Sequence, residues 1–114
     1  MHPFRVIGST VFVVISCVST IHARAEKCQA WTWCEREDKQ AISLDMSVSG
    51  CTSVIQSSTE DQSHLAVAFS NRGVAYARQR DFERAIEDFD QVIRLRPDDV
   101  MAFYNRGSEH RAAR

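Results

Sequence analysis

The side chains best suited to chemistry are four cysteines, four histidines and a run of carboxylates, and their spacing decides what they can do. Cys28, Cys34 and His64 do not make a zinc pattern, because no second closely spaced ligand pair follows. Cys28 has no x-x-Cys partner and no neighbouring base, which a redox thiol needs. Glu83, Glu87, Asp88 and Asp90 read as the solvated face of an amphipathic helix rather than as an acid/base pair. Neither a phosphate-cradling glycine loop nor a Gly-x-Ser-x-Gly elbow is present. No catalytic residue, no metal ligand and no cofactor is expected, and the chain is not read as an enzyme.

The elements that hold these residues are short. The chain has 114 residues, 44% hydrophobic and 25% charged, enough for one small domain. Fourteen Lys and Arg stand against fifteen Asp and Glu. A polyanion-binding surface would show a basic excess, so nucleic acid is not an expected partner. Residues 1–25 read as a signal peptide. Arg5 precedes an uncharged apolar run from Val6 to Ile21, and Ala23-Arg24-Ala25 supplies the small residues of a cleavage site. The run is shorter than the ~20 residues of a membrane-spanning helix, so no membrane insertion is expected after processing. Val14-Ile15-Ser16-Cys17 offers a second route, a lipid anchor on Cys17. Cleavage after Ala25 removes Arg5, Arg24 and no acidic residue, so 12 basic residues then face 15 acidic ones, a formal charge of −3. Cys28, Cys34 and Cys51 enter an oxidising compartment, periplasmic or extracellular, as an odd number. One thiol therefore stays free, pairs between chains or moves between partners.

A 34-residue period organises the remainder. Asn71-Arg72-Gly73 returns as Asn105-Arg106-Gly107, Ala68 as Ala102 and Phe69 as Phe103. Val48, Cys51 and Ile55 map forward onto Phe82, Ala85 and Phe89 at the same shift. Leu65 to Gln79 carries its apolar residues mainly on one helical side. From Phe82 to Ile93 apolar residues fall at i, i+3, i+4, i+7, i+10 and i+11, the strongest amphipathic pattern in the chain. Asp81 suits an N-cap, Pro97 a stop, and Asp98 and Asp99 the start of a further helix. Arg84–Asp88 and Asp90–Arg94 pairs are expected on the outer face. Gly73 costs a helix roughly 1 kcal/mol against Ala, and close approach of the partner helix, with Ala85 opposite, would offset it.

Helix-turn-helix units of this length, with Phe69, Gly73, Tyr76, Ala85, Phe89 and Pro97 at these spacings, resemble the tetratricopeptide repeat. Arg72 departs from the pattern where Leu is preferred, and Val92 departs where Ala is preferred. The resemblance covers 66–99 fully and the front half of another unit in 100–114. Residues 44–65 resemble a degraded half repeat. Cys34, Cys51 and the Asn-Arg-Gly-x-Ala-Tyr wording resemble small secreted bacterial proteins of this kind. That resemblance implies a disulfide between Cys34 and Cys51, worth about 3 kcal/mol by chain entropy.

The expected architecture is all-α. It is a short right-handed solenoid of antiparallel hairpins over 44–114, about four helices, preceded by the signal peptide and an irregular disulfide-tied arm over 26–43. Trp31 and Trp33 on that arm are expected to cover the exposed end of the stack. The resemblance implies a non-catalytic module that binds a protein or peptide in a concave groove. The inner-helix positions would be Val67, Ser70, Asn71, Val74, Ala77, Arg78, Met101, Tyr104, Asn105 and Ser108. Asn71 and Asn105 can donate to and accept from an extended backbone. The alternative is a structural or assembly role, with self-association, as a homodimer for instance, through the open end of the solenoid. Repeat stacks usually need three or more units, so this one is expected to lean on a disulfide, a partner or itself.

Overall fold

A computed structural model describes residues 21–35, 43–57 and 60–114 of the chain. The segment Val6 to Thr20, Cys17 with its alternative processing, and 36–42 of the expected arm lie outside the described residues.

The described residues form five helices in sequence. Residues 21–35 are helical (α1), followed by α2 (Leu44–Gln56), α3 (Gln62–Arg78), α4 (Phe82–Leu95) and α5 (Val100–Ala112). Each of α2 to α5 starts on a side-chain cap that satisfies an otherwise orphaned backbone N–H. Ser43 accepts from Met46 N, Asp61 from His64 N, Asp81 from Arg84 N and Asp99 from Ala102 N. The turn between α3 and α4 places Arg80 at φ 63°. There the N–H of Arg80 donates to Ala77 O and that of Asp81 to Tyr76 O, closing the end of α3.

Packing follows chain order. α2 packs on α3, α3 on α4, and α4 on α5. Three apolar clusters run through these contacts. Cys34, Cys51, Val54 and Ala68 join α1, α2 and α3. Tyr76, Ala85 and Phe89 join α3 to α4, and Ala66, Val92 and Ala102 join α3, α4 and α5. Val48, Cys51 and Ile55 take part as their spacing implies, and Val54 is a fully buried addition to them.

Two expectations change. The arm is not irregular where it is described, since 26–35 are helical and add a fifth helix before the four expected over 44–114. The expected half repeat around α2 is consequently one side of a hairpin with α1. What brings the two helices together is Gly50. A Cβ at Gly50 would lie 2.7 Å from Ala30 O, 2.7 Å from Trp33 Cβ and 3.1 Å from Cys34 N. One residue later Cys51 is disulfide-bonded to Cys34, with a Cα–Cα distance of 4.6 Å. Glu60 ties α1 to the start of α3. Lys27 Nζ lies 2.7 Å from Glu60 Oε1, and Trp31 Nε1 donates to the same oxygen at 3.3 Å. The Lys27 hydrogen bond holds the Glu60 carboxyl below the usual carboxylate range. Trp31 also meets the His64 ring edge-on at 5.6 Å.

The second change concerns Gly73. The close approach is real, but its neighbours are Phe89, 3.0 Å from a Cβ placed there, and Asp88 Cβ at 3.3 Å, not Ala85. Ala85 is buried one turn away against Tyr76 and Phe89. At Gly107, the repeat of Gly73, a Cβ meets nothing within 4 Å.

These glycines therefore predict opposite signs for one substitution. Gly50→Ala should lower stability by about 1–3 kcal/mol, because the added carbon meets backbone rather than a flexible side chain. Gly107→Ala should raise it by up to ~1 kcal/mol through helix propensity alone. Urea melts of the oxidised chain check both, and equal shifts for the two variants would contradict the close approach at Gly50.

Candidate functional site

The inner stripe of α3 is built by the helical period. Val67, Ser70, Asn71, Val74, Ala77 and Arg78 share one side of the helix, while Ala66, Ala68, Gly73, Ala75 and Tyr76 are buried on the other. Val67, Ser70, Asn71, Val74 and Ala77 are half-buried and Arg78 is exposed. On α5, Met101 and Tyr104 are 63% and 64% exposed, and Asn105 and Ser108 are half-buried beside them. The Ala66–Val92–Ala102 cluster connects α3, α4 and α5. The side-chain amides of Asn71 and Asn105 make no hydrogen bond among the described residues. They carry donors and acceptors that remain open to an incoming backbone.

Behind the stripe lies an ion pair that the periodicity did not reveal. Asp88 is 3% exposed, not on the solvent face. Arg72 reaches it with two bonds, Nε to Oδ2 at 2.9 Å and Nη2 to Oδ1 at 2.8 Å, while Nη1 donates to Thr52 Oγ1 at 3.1 Å. The guanidinium also lies 5.5 Å from the Phe69 ring centre and 5.7 Å from that of Tyr76. These hydrogen bonds from Arg72 to Asp88 raise the guanidinium further above its already high ordinary pKa. One side chain thus bridges α2, α3 and α4.

The expected Arg84–Asp88 and Asp90–Arg94 pairs do not form. Arg84 turns back to its own helix cap, Asp81, and lies 4.8 Å from the Tyr76 ring centre. Asp90 accepts from Arg106 at 2.8 Å, with Arg106 placed 5.3 Å from the Phe103 ring. The Arg72–Asp88 pair is largely withdrawn from water and so is less screened than an i,i+4 pair on the helix surface. The Asp90–Arg106 pair is partly exposed. A signal for this was present in the recurring Asn-Arg-Gly. It places a charge at each inner-helix position that packs on a neighbour, sixteen residues from Asp88 in one case and from Asp90 in the other.

Residues 66–99 match the family model of the tetratricopeptide repeat. These residues are a tetratricopeptide repeat. The match starts inside α3, takes in its turn and all of α4, and ends on Asp99, the cap of α5. No curated protein and no solved structure matches the chain. Within the repeat, the two departures from the pattern have local causes. Arg72 is compensated by Asp88, and Val92 fills the space between Ala66 and Ala102. The signature residues Ala85 and Phe89 are buried as 0% and 1% exposed, Tyr76 is buried, and Gly73 touches Phe89. Pro97 follows the end of α4 at Leu95, and Phe69 packs, partly buried, against the cluster that contains Val92. Among the described residues no group of three or more His, Cys, Asp or Glu is arranged to hold a metal ion, and Cys28 is exposed.

Replacing Arg72 by the Leu that the repeat pattern prefers should destabilise the chain by about 3–5 kcal/mol, since it strands the buried Asp88 carboxylate. Adding Asp88→Ala to Arg72→Leu should return a large part of that loss. Thermal melts of the two single variants and the double variant check the coupling; additive losses would refute it.

Proposed function

We propose that the chain is a non-catalytic binding module that takes an extended peptide or protein segment along the inner stripe of α3 and α5. The observation that carries this is the pair of unengaged amides, Asn71 and Asn105, one on each of two helices joined through one core. Val67 and Val74 beside Asn71, and Met101 and Tyr104 beside Asn105, supply apolar contact for alternate side chains of an extended ligand. Arg78 at the end of the stripe adds a positive charge and favours an acidic residue or a carboxyl end there.

The proposed setting is an oxidising compartment of the cell envelope, periplasmic or extracellular, reached after cleavage behind Ala25. The Cys34–Cys51 disulfide supports it, as does the apolar segment that precedes Ala23-Arg24-Ala25. Among the described residues no helix is long and apolar enough to cross a membrane. An assembly role is the second reading. It is favoured by Val100 and Phe103, large apolar side chains that α5 leaves exposed away from the stripe.

A peptide selected from a random display library against the oxidised chain provides the test. Asn71→Ala with Asn105→Ala should weaken its binding by about tenfold or more, about 1.4 kcal/mol per factor of ten, with an unchanged circular-dichroism melt. Unchanged affinity in that double variant would refute the groove.

A further inference from the structure

α1 is fastened to the stack in two different ways. Near its end, Cys34 is bound covalently to Cys51 of α2. Ahead of that, where residues 21–29 are exposed, a carboxylate takes over. Glu60 stands just before Asp61, the cap of α3. Its Oε1 lies 2.7 Å from Lys27 Nζ and accepts from the Trp31 indole N–H at 3.3 Å. The Glu60 side chain is 6% exposed and that of Lys27 44%. With both donors in place, Trp31 packs against the cluster of Cys34, Cys51, Val54 and Ala68.

We infer that α1 is a proton-released strap. Protonation of Glu60 frees Lys27 and Trp31, and the front of α1 swings away from α3 about the Cys34–Cys51 tether. A proton taken from water leaves a neutral acid facing an ammonium. The ion pair is then lost, the neutral oxygen is a weaker acceptor, and Lys27 gains hydration that its side chain already reaches. Lys27 and Trp31 both follow Ala25, so cleavage there would keep the strap.

The charged groups around Glu60 set the direction. Lys27 comes from α1, and Asp61 and His64 from α3. His64 Nδ1 is 3.9 Å from Glu60 Oε2 and 3.0 Å from Asp61 Oδ1. The Lys27 hydrogen bond outweighs burial, which pushes the other way, and the Trp31 bond and the charges of Lys27 and His64 add to it. Glu60 therefore stays ionised below the usual carboxylate range. A group lowered on folding contributes stability above its unfolded value and loses it as pH falls through its folded one. The strap is thus closed at neutral pH and opens in acid. Asp61 is held low as well, by the His64 N–H that it caps.

None of Lys27, Trp31 and Glu60 belongs to the groove stripe, so the strap and the groove stand or fall separately. Trp33→Phe leaves Trp31 as the one indole of the chain. Acrylamide quenching of this oxidised variant is followed from about pH 7 to about pH 3. Quenching should rise with a midpoint below the usual glutamate range, while far-UV circular dichroism keeps most of its helix signal. Adding Glu60→Gln should leave Trp31 as open at neutral pH as in acid, with no midpoint. Adding Lys27→Met should move the midpoint up by about one pH unit or more, since burial then acts without the ammonium to oppose it. Flat quenching down to the acid limit would overturn the inference, as would loss of most helix at the same pH as the rise. So would a midpoint that ignores Lys27→Met, or one that survives Glu60→Gln.

Discussion

The guanidinium of Arg72 is the interaction on which the stack depends. It joins α3 to α4 through Asp88 and α3 to α2 through Thr52, and the rings of Phe69 and Tyr76 lie within reach of its positive charge. A hydrophobic residue at this position would fill space with one neighbour at a time. The fork geometry of arginine instead fixes a direction toward two helices at once. Burial makes the arrangement all-or-none, because either partner left alone is a charge held away from water. The stripe of Val67, Ser70, Asn71 and Val74 proposed to bind is on another side of the same helix. Whatever α3 binds, its side chains are held by the pair behind them.

Repeat stacks gain stability from nearest-neighbour interfaces. Among the described residues, the helices before the repeat are joined to it by a disulfide, a close glycine contact and an ion pair. Gly50 lets α1 and α2 approach, the disulfide joins them, and Glu60 holds Lys27 and Trp31 over the start of α3. The other end has no comparable device among the described residues. α5 is fastened by Ala102 and the Arg106–Asp90 pair, and Val100 and Phe103 remain in water.

Much of this was legible before any coordinates. The 34-residue shift located the hairpin of α3 and α4, the caps at Asp81 and Asp99, and the burial of Ala85, Phe89 and Tyr76, because periodicity reports which side of a helix is packed. The disulfide followed from resemblance rather than from spacing. Two things stayed hidden for physical reasons. α1 touches the stack mainly through Ala30, Trp31, Trp33 and Cys34, and residues 21–29 are exposed, so it carries no amphipathic stripe to read. Asp88 looked solvated because hydropathy treats every carboxylate alike, and only its distance in space from Arg72 marks it as buried. Val67, Ser70, Asn71 and Val74 were legible as one helical side, which says what they share and not what they bind.

Native-state hydrogen exchange on the oxidised chain tests the central claim most directly. If the Arg72–Asp88 pair couples α2, α3 and α4 into one unit, the amides of Ala68–Tyr76 and Ala85–Val92 exchange slowest and share one opening free energy. The buried amides around Cys51 and Val54 follow them, and those of α5 exchange through smaller openings. Separate openings for α3 and α4, or protection in α2 that outlasts the opening of α3, would contradict it.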